Sequence, residues 1–76
     1  MTRLPAIKPK ELVIVLERAG FSFARQKGSH KIYIKGHLRI TVPFHAKDLK
    51  RGTLFHIIKQ AGLTLGEFLN LLKRKN

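Results

Sequence analysis

Apolar residues in this chain recur at two periods, and the change between them marks out the elements. Leu12, Val15, Leu16 and Ala19 follow the i, i+3, i+4, i+7 spacing of one helical stripe. They predict a first helix from Pro9 to Gly20, since proline suits the first helical position and glycine the left-handed residue past the last turn. Three segments of period two follow: Phe21–Gln26, Lys31–Lys35 with Ile32 and Ile34 on one face, and Leu38–Val42 with Leu38, Ile40 and Val42 facing inward. Gly28 and Gly36 punctuate the gaps, which predicts a sequential antiparallel meander. Pro43 lacks a ladder donor and ends the third strand. After a polar loop through Lys47–Gly52, Thr53 is a candidate N-cap for a second helix with Leu54, Ile57, Ile58 and Ala61 as its stripe and Gly62 at its close.

Leu63 then opens a third helix. Thr64 and Glu67 have the spacing of a capping box, and Leu63 with Phe68 that of the hydrophobic staple around it. Leu65, Phe68, Leu69 and Leu72 form its apolar face, and Lys73-Arg74-Lys75 complements the helix dipole at its end. The order is α-β-β-β-α with an additional C-terminal helix, an α+β class. One face of the sheet has helices to cover it and the other is expected to be open.

Composition narrows what such a domain can do. The 76 residues hold 16 Lys+Arg and 4 Asp+Glu, a net charge of +12. Residues 1–38 and 39–76 each carry eight basic and two acidic side chains, so the charge belongs to the whole domain and not to a detachable arm. With 43% hydrophobic residues the chain is not a disordered basic tail. A folded surface of this sign attracts polyanions, RNA and DNA first among them. A lysine-rich surface of the thermophilic or ribosome-associated kind is the alternative. The length, 76 residues, suits a single domain spanning 1–76. There is no cysteine, which excludes a disulfide scaffold, cysteine zinc ligands and a cysteine nucleophile and fits a reducing cytoplasm. No apolar run approaches the ~18 residues of a membrane span, and Met1–Pro5 lacks the apolar stretch of a signal peptide.

Few residue types remain for chemistry. A metal-dependent nuclease gathers several carboxylates. Three of the four acids, Glu11, Glu17 and Glu67, belong to helices and Asp48 to a loop, so no metal is expected. No glycine-rich phosphate loop is present, and no cofactor is implied. The histidines at 30, 37, 45 and 56 match no zinc spacing. His37 falls in a tight turn and His56 off the apolar stripe. His30 lies in Arg25-Gln26-Lys27-Gly28-Ser29-His30-Lys31, between two strands, where Gly28 permits close backbone approach, Ser29 adds a hydroxyl and three cations flank the group. Imidazole takes and returns a proton near neutral pH. RNA carries its own nucleophile, the 2′-hydroxyl, so cleavage needs a base, cations for the developing charge and an acid for the leaving oxygen. On residue types alone a phosphate-binding or structural histidine is the favoured reading of His30 over a catalytic one. His45, past the third strand, is a second proton carrier, an RNA contact or a plain loop histidine.

Two segments together resemble a known family. One is Arg25-Gln26-Lys27-Gly28-Ser29-His30-Lys31-Ile32-Tyr33. The other is Thr41-Val42-Pro43-Phe44-His45-Ala46-Lys47-Asp48-Leu49-Lys50-Arg51-Gly52-Thr53-Leu54, followed by Ile57-Ile58-Lys59-Gln60-Ala61-Gly62. Over roughly residues 6–72 the chain resembles the HicA (YcfA-like) toxins of prokaryotic toxin–antitoxin systems. The resemblance implies a double-stranded-RNA-binding-domain-like fold, cleavage of mRNA that blocks translation, and neutralisation by a HicB antitoxin. It implies that the histidine of Gly28-Ser29-His30 is catalytic; around it Arg25, Lys27, Gly28, Ser29, Lys31, His45, Lys47 and Lys50 are the residues expected to contact RNA. The chain departs from the family pattern at Phe44, where a polar or basic residue is expected, and in the short Lys35-Gly36-His37 connection. A non-catalytic RNA-binding module and an interaction subunit whose basic face is covered by an acidic antitoxin are the other readings.

Overall fold

The computed structural model describes residues 5–45 and 47–74. Met1–Leu4, Ala46 and Lys75, which enter the readings above, lie outside the described residues. The elements run α1 (Pro9–Arg18), β1 (Ser22–Lys27), β2 (His30–Lys35), β3 (Leu38–Pro43), α2 (Arg51–Gln60) and α3 (Leu65–Lys73). This is the α+β order α-β-β-β-α with an extra C-terminal helix, the double-stranded-RNA-binding-domain-like arrangement. The sheet is antiparallel in the order β1-β2-β3.

Both hairpins turn on two residues. Gly28 and Gly36 take φ of +60° and +58°, while Ser29 and His37 keep ordinary negative values. Glycine at the first central position is the requirement of the type II′ turn, whose twist matches that of the strands it joins. A two-residue turn also sets Lys27 directly opposite His30, so the strand begins at His30 and not at Lys31. Likewise β1 runs from Ser22 to Lys27, one residue later than the alternation predicts: Phe21 is buried beneath it and its N–H bonds the Leu16 carbonyl at the end of α1 (2.9 Å).

The register sorts the sheet into two faces, because cross-strand partners share a face. Phe23, Tyr33 and Ile40 are aligned, as are Gln26, Lys31 and Val42; on this face Tyr33, Ile40 and Val42 are buried against the helices, while Phe23 and Gln26 on the edge strand are exposed. The other face carries Lys27–His30–Pro43, Arg25–Ile32–Thr41 and Ser22–Ile34–Arg39. Ile32 and Ile34 do share a face, as their alternation predicts, but it is the open one. Tyr33 between them enters the core, where burial and the nearby Glu17 charge raise the pKa of its phenol.

The core joins Leu12, Val15 and Leu16 of α1, Phe21 just before β1, Tyr33, Ile40 and Val42 from the sheet, and Leu54, Ile57 and Ile58 of α2. Helices α1 and α2 pack on the sheet, and α3 packs on α1. Helix α2 begins at Arg51 with Lys50 as its N-cap, so the predicted cap, Thr53, sits inside the first turn. The start is set by packing: the Leu49 N–H bonds the Ile7 carbonyl (2.8 Å) and the Leu49 side chain packs on the core, which aims the chain before any cap is made.

Helix α3 starts as its grammar predicts. Thr64 Oγ1 accepts from the Glu67 N–H (3.1 Å) and Glu67 Oε1 accepts from the Thr64 N–H (2.8 Å). Phe68 is fully buried, whereas Leu65, Leu69 and Leu72 are half-buried against the core, so its apolar face is only partly enclosed. The Arg18 guanidinium ties the end of α3 to α1 through the Leu71 carbonyl (2.7 Å).

The capping box yields a stability prediction. Thr64→Ala removes one half of it and should lower unfolding free energy by about 1 kcal/mol at neutral pH. The bonds to Thr64 hold the Glu67 carboxyl below its ordinary pKa. A carboxyl whose folded pKa is lowered stabilises fully above its unfolded value and loses that contribution as pH falls through the folded one. Alanine at 64 keeps the backbone N–H that bonds the Glu67 carboxylate, so the pH-dependent part is read from Glu67→Ala: urea titrations of parent and Glu67→Ala should differ at pH 7 and converge in acid, whereas the Thr64→Ala gap changes less with pH. A Glu67→Ala gap that is constant with pH would show that the carboxylate charge is not part of the effect.

Candidate nucleic-acid interface

The Gly28-Ser29 turn presents His30 at one end of the open sheet face. Gln26 Nε2 donates to the Gly28 carbonyl (3.0 Å) and the Phe44 N–H donates to the Ser29 carbonyl (2.6 Å), so the turn is held from β1 and from the segment after β3. Lys27 and Pro43 are the cross-strand partners of His30, and Arg25 lies two pairings away on the same face. A shallow recess lined by Lys27, Gly28, Ser29, His30, Ile32 and Thr41 opens beside the imidazole. His30, Arg25 and Lys27 are all exposed.

Of the residues singled out from the sequence, Arg25, Lys27, Gly28, Ser29 and His30 are brought together here. Lys31 is not. Strand alternation turns it to the helix-covered face, where its ammonium lies over the Phe44 ring, 4.0 Å from the centroid. This contact explains Phe44, the residue that departs from the expected polar pattern: the ring packs on the core and gives the half-buried Lys31 a π face in place of an anion.

The register also fixes His45. Because His30 pairs with Pro43, His45 follows at the same end of the sheet. It does not share the His30 recess. It lies between two others, one lined by Pro43, Lys47, Asp48, Leu49, Lys50 and Thr53, the other by Lys8, Lys10 and Phe44. Lys47 and Lys50 thus group with His45, apart from His30. His37 is at the opposite end in the β2–β3 turn, and His56 is exposed on α2.

Sequence reasoning passed over several cations. Arg39 and Thr41 stand on the open face, as the inward placement of Leu38, Ile40 and Val42 already required. Lys8 and Lys10 flank the start of α1 and reach the His45 end only through tertiary packing, for which no local pattern exists. The acids stay dispersed and exposed. Glu11 accepts from the Lys8 N–H (3.0 Å) and Glu67 caps α3, while Asp48 lies in the loop near His45. Among the described residues no three His, Cys, Asp or Glu side chains gather closely enough to hold a metal ion. None of the described helices is long and apolar enough to cross a membrane.

The arrangement supplies an exposed imidazole, a glycine that permits close approach, a neighbouring hydroxyl and several cations on a sheet face where Arg25, Lys27, His30 and Arg39 are exposed and Ile32 is buried between its neighbours. Compared with known families, residues 9–63 match the model described as the HicA toxin of bacterial toxin–antitoxin. The match runs from α1 through α2 and stops before α3, short of the 6–72 over which the motifs suggested a resemblance. No curated protein matches the chain.

Proposed function

The chain belongs to the HicA toxin family of bacterial toxin–antitoxin systems, which gives it the role of the toxin paired with a HicB antitoxin, and from that premise we propose that it is an endoribonuclease whose proton-transfer group is His30. The observation that carries the proposal is the exposed His30 on a rigid Gly28-Ser29 turn, with Arg25 and Lys27 on the same open face. In the reaction, His30 takes the proton of an RNA 2′-hydroxyl. The O2′–P bond forms, the P–O5′ bond breaks, and the departing O5′ takes a proton from water, leaving a 2′,3′-cyclic phosphate on the other product and the imidazolium to return its proton to solvent. The guanidinium of Arg25 and the ammonium of Lys27 stabilise charge on the phosphoryl oxygens. Four scattered acids offer no carboxylate cluster, which supports a metal-independent course. Such an enzyme would cut mRNA in the cytoplasm and stop translation.

The test uses purified protein and two RNAs of one sequence in EDTA. The ribose form should be cut and a form carrying 2′-deoxy sugars at the cleaved positions should stay intact, because the nucleophile is missing. Equal cutting of both, or cutting that disappears in EDTA and returns with a divalent ion, overturns the mechanism. RNA that is retained but never cut identifies a binding module instead.

A further inference from the structure

The His45 end of the sheet holds cations that the His30 chemistry does not use. Lys8 and Lys10, on either side of Pro9 at the start of α1, line one recess with Phe44 and His45. No carboxylate lines it. Glu11, the nearest acid in sequence, turns its carboxylate to the Lys8 backbone N–H at the helix start. Both lysines and His45 are exposed, and Phe44 is half-buried. Three cationic or protonatable groups at one recess suit the backbone of single-stranded nucleic acid: the cations take phosphate, while the Phe44 ring, packed on the core with Lys31 over its face, fixes the floor between them.

This recess is tied to the His30 turn. The Phe44 N–H bonds the Ser29 carbonyl (2.6 Å), Lys31 of β2 lies over the Phe44 ring at 4.0 Å, and Pro43 pairs with His30. Two residues of extended chain span about 7 Å, so His45 sits roughly one nucleotide's reach beyond the partner of His30. A strand whose phosphate is held at His30 has its neighbouring nucleotide within reach of the recess.

We propose that the recess formed by Lys8, Lys10, Phe44 and His45 is a second RNA subsite, which holds a nucleotide flanking the one at His30. The inference rests on the reading of the chain as an RNA-cleaving enzyme. The Phe44 clasp sets the distance between the two subsites, so the substrate is single-stranded RNA long enough to fill both.

The experiment measures binding, not cleavage. Labelled RNA made non-cleavable by 2′-O-methyl groups is titrated by fluorescence anisotropy against the parent protein and Lys8→Gln/Lys10→Gln at several salt concentrations. Glutamine at position 8 keeps the backbone N–H that Glu11 accepts from, so α1 retains its start. Losing two phosphate contacts to a single strand should make the log K against log salt slope shallower by about 1.4. A mononucleotide, which cannot span both subsites, should show no such difference in slope between the two proteins. If the parent binds the longer RNA and the variant matches its affinity and slope, the subsite is wrong while the ribonuclease reading stands. If the RNA slope is unchanged but association with a HicB-type antitoxin weakens, the recess is a protein-docking surface and the subsite is again wrong. If the parent binds no RNA at all, the functional reading falls and the subsite with it.

Discussion

His30→Ala is expected to lower the rate of RNA cleavage in EDTA by about 10²–10⁴-fold, the usual contribution of a positioned proton-transfer group. The substitution is unusually clean. His30 is exposed, and its part in the sheet is made by backbone groups opposite Lys27 and Pro43, which alanine keeps. Stability should therefore stay within about 0.5 kcal/mol of the parent, as for other surface changes away from caps and cores. Binding to non-cleavable RNA should fall little, because a single contact among many cations is removed. The combination to look for is a large loss of turnover with near-normal melting and near-normal affinity. Cleavage at the parental rate would remove His30 from the mechanism. A fall in rate matched by an equal fall in affinity would make it a phosphate ligand. Expression in bacteria should follow the same order, with His30→Ala tolerated where the parent arrests growth.

The elements of this domain were legible because their signals are local. The stripe Leu12–Val15–Leu16, the two glycines at +60° and +58°, and the Thr64–Glu67 box each specify structure within a few residues, and each is found where the pattern put it. What escaped was set by contacts distant in sequence. The start of α2 moved to Arg51 because Leu49 is fixed on Ile7. Alternation told that Ile32 and Ile34 share a face but not which one, since either an isoleucine pair or Tyr33 with its neighbours could fill the core. The candidate site shows the same division. Gly28, Ser29 and His30 are contiguous and were read directly, along with Arg25 and Lys27 on the strand before them. Lys31 was read as a sixth member because it is adjacent in sequence, yet adjacency in a strand means opposite faces. Lys8 and Lys10 joined the His45 end by folding alone.

Phe68→Ala is expected to bring the domain to the edge of unfolding at 25 °C. Phe68 is fully buried and is the member of α3 that is wholly enclosed, the leucines around it being partly exposed. Truncating a buried phenylalanine costs about 3–5 kcal/mol. A domain of this size has about 4–11 kcal/mol in total, so the loss takes a large share of it. The matching fall in melting temperature is more than about 12 °C. The location of the damage distinguishes this variant from His30→Ala. Besides Phe68, α3 is attached to α1 through the Arg18–Leu71 bond, so hydrogen exchange should accelerate in α3 and on the α1 side facing it before it accelerates in the β1–β2 hairpin. Helix α3 lies outside the stretch that matches the family, and Phe68 is its one fully buried side chain among leucines half-buried against the core. If Phe68→Ala melts with the parent, the third helix does not support the core, and the α-β-β-β-α unit is stable by itself. If it unfolds but Phe68→Leu recovers most of the loss, apolar volume at this position is what the fold requires.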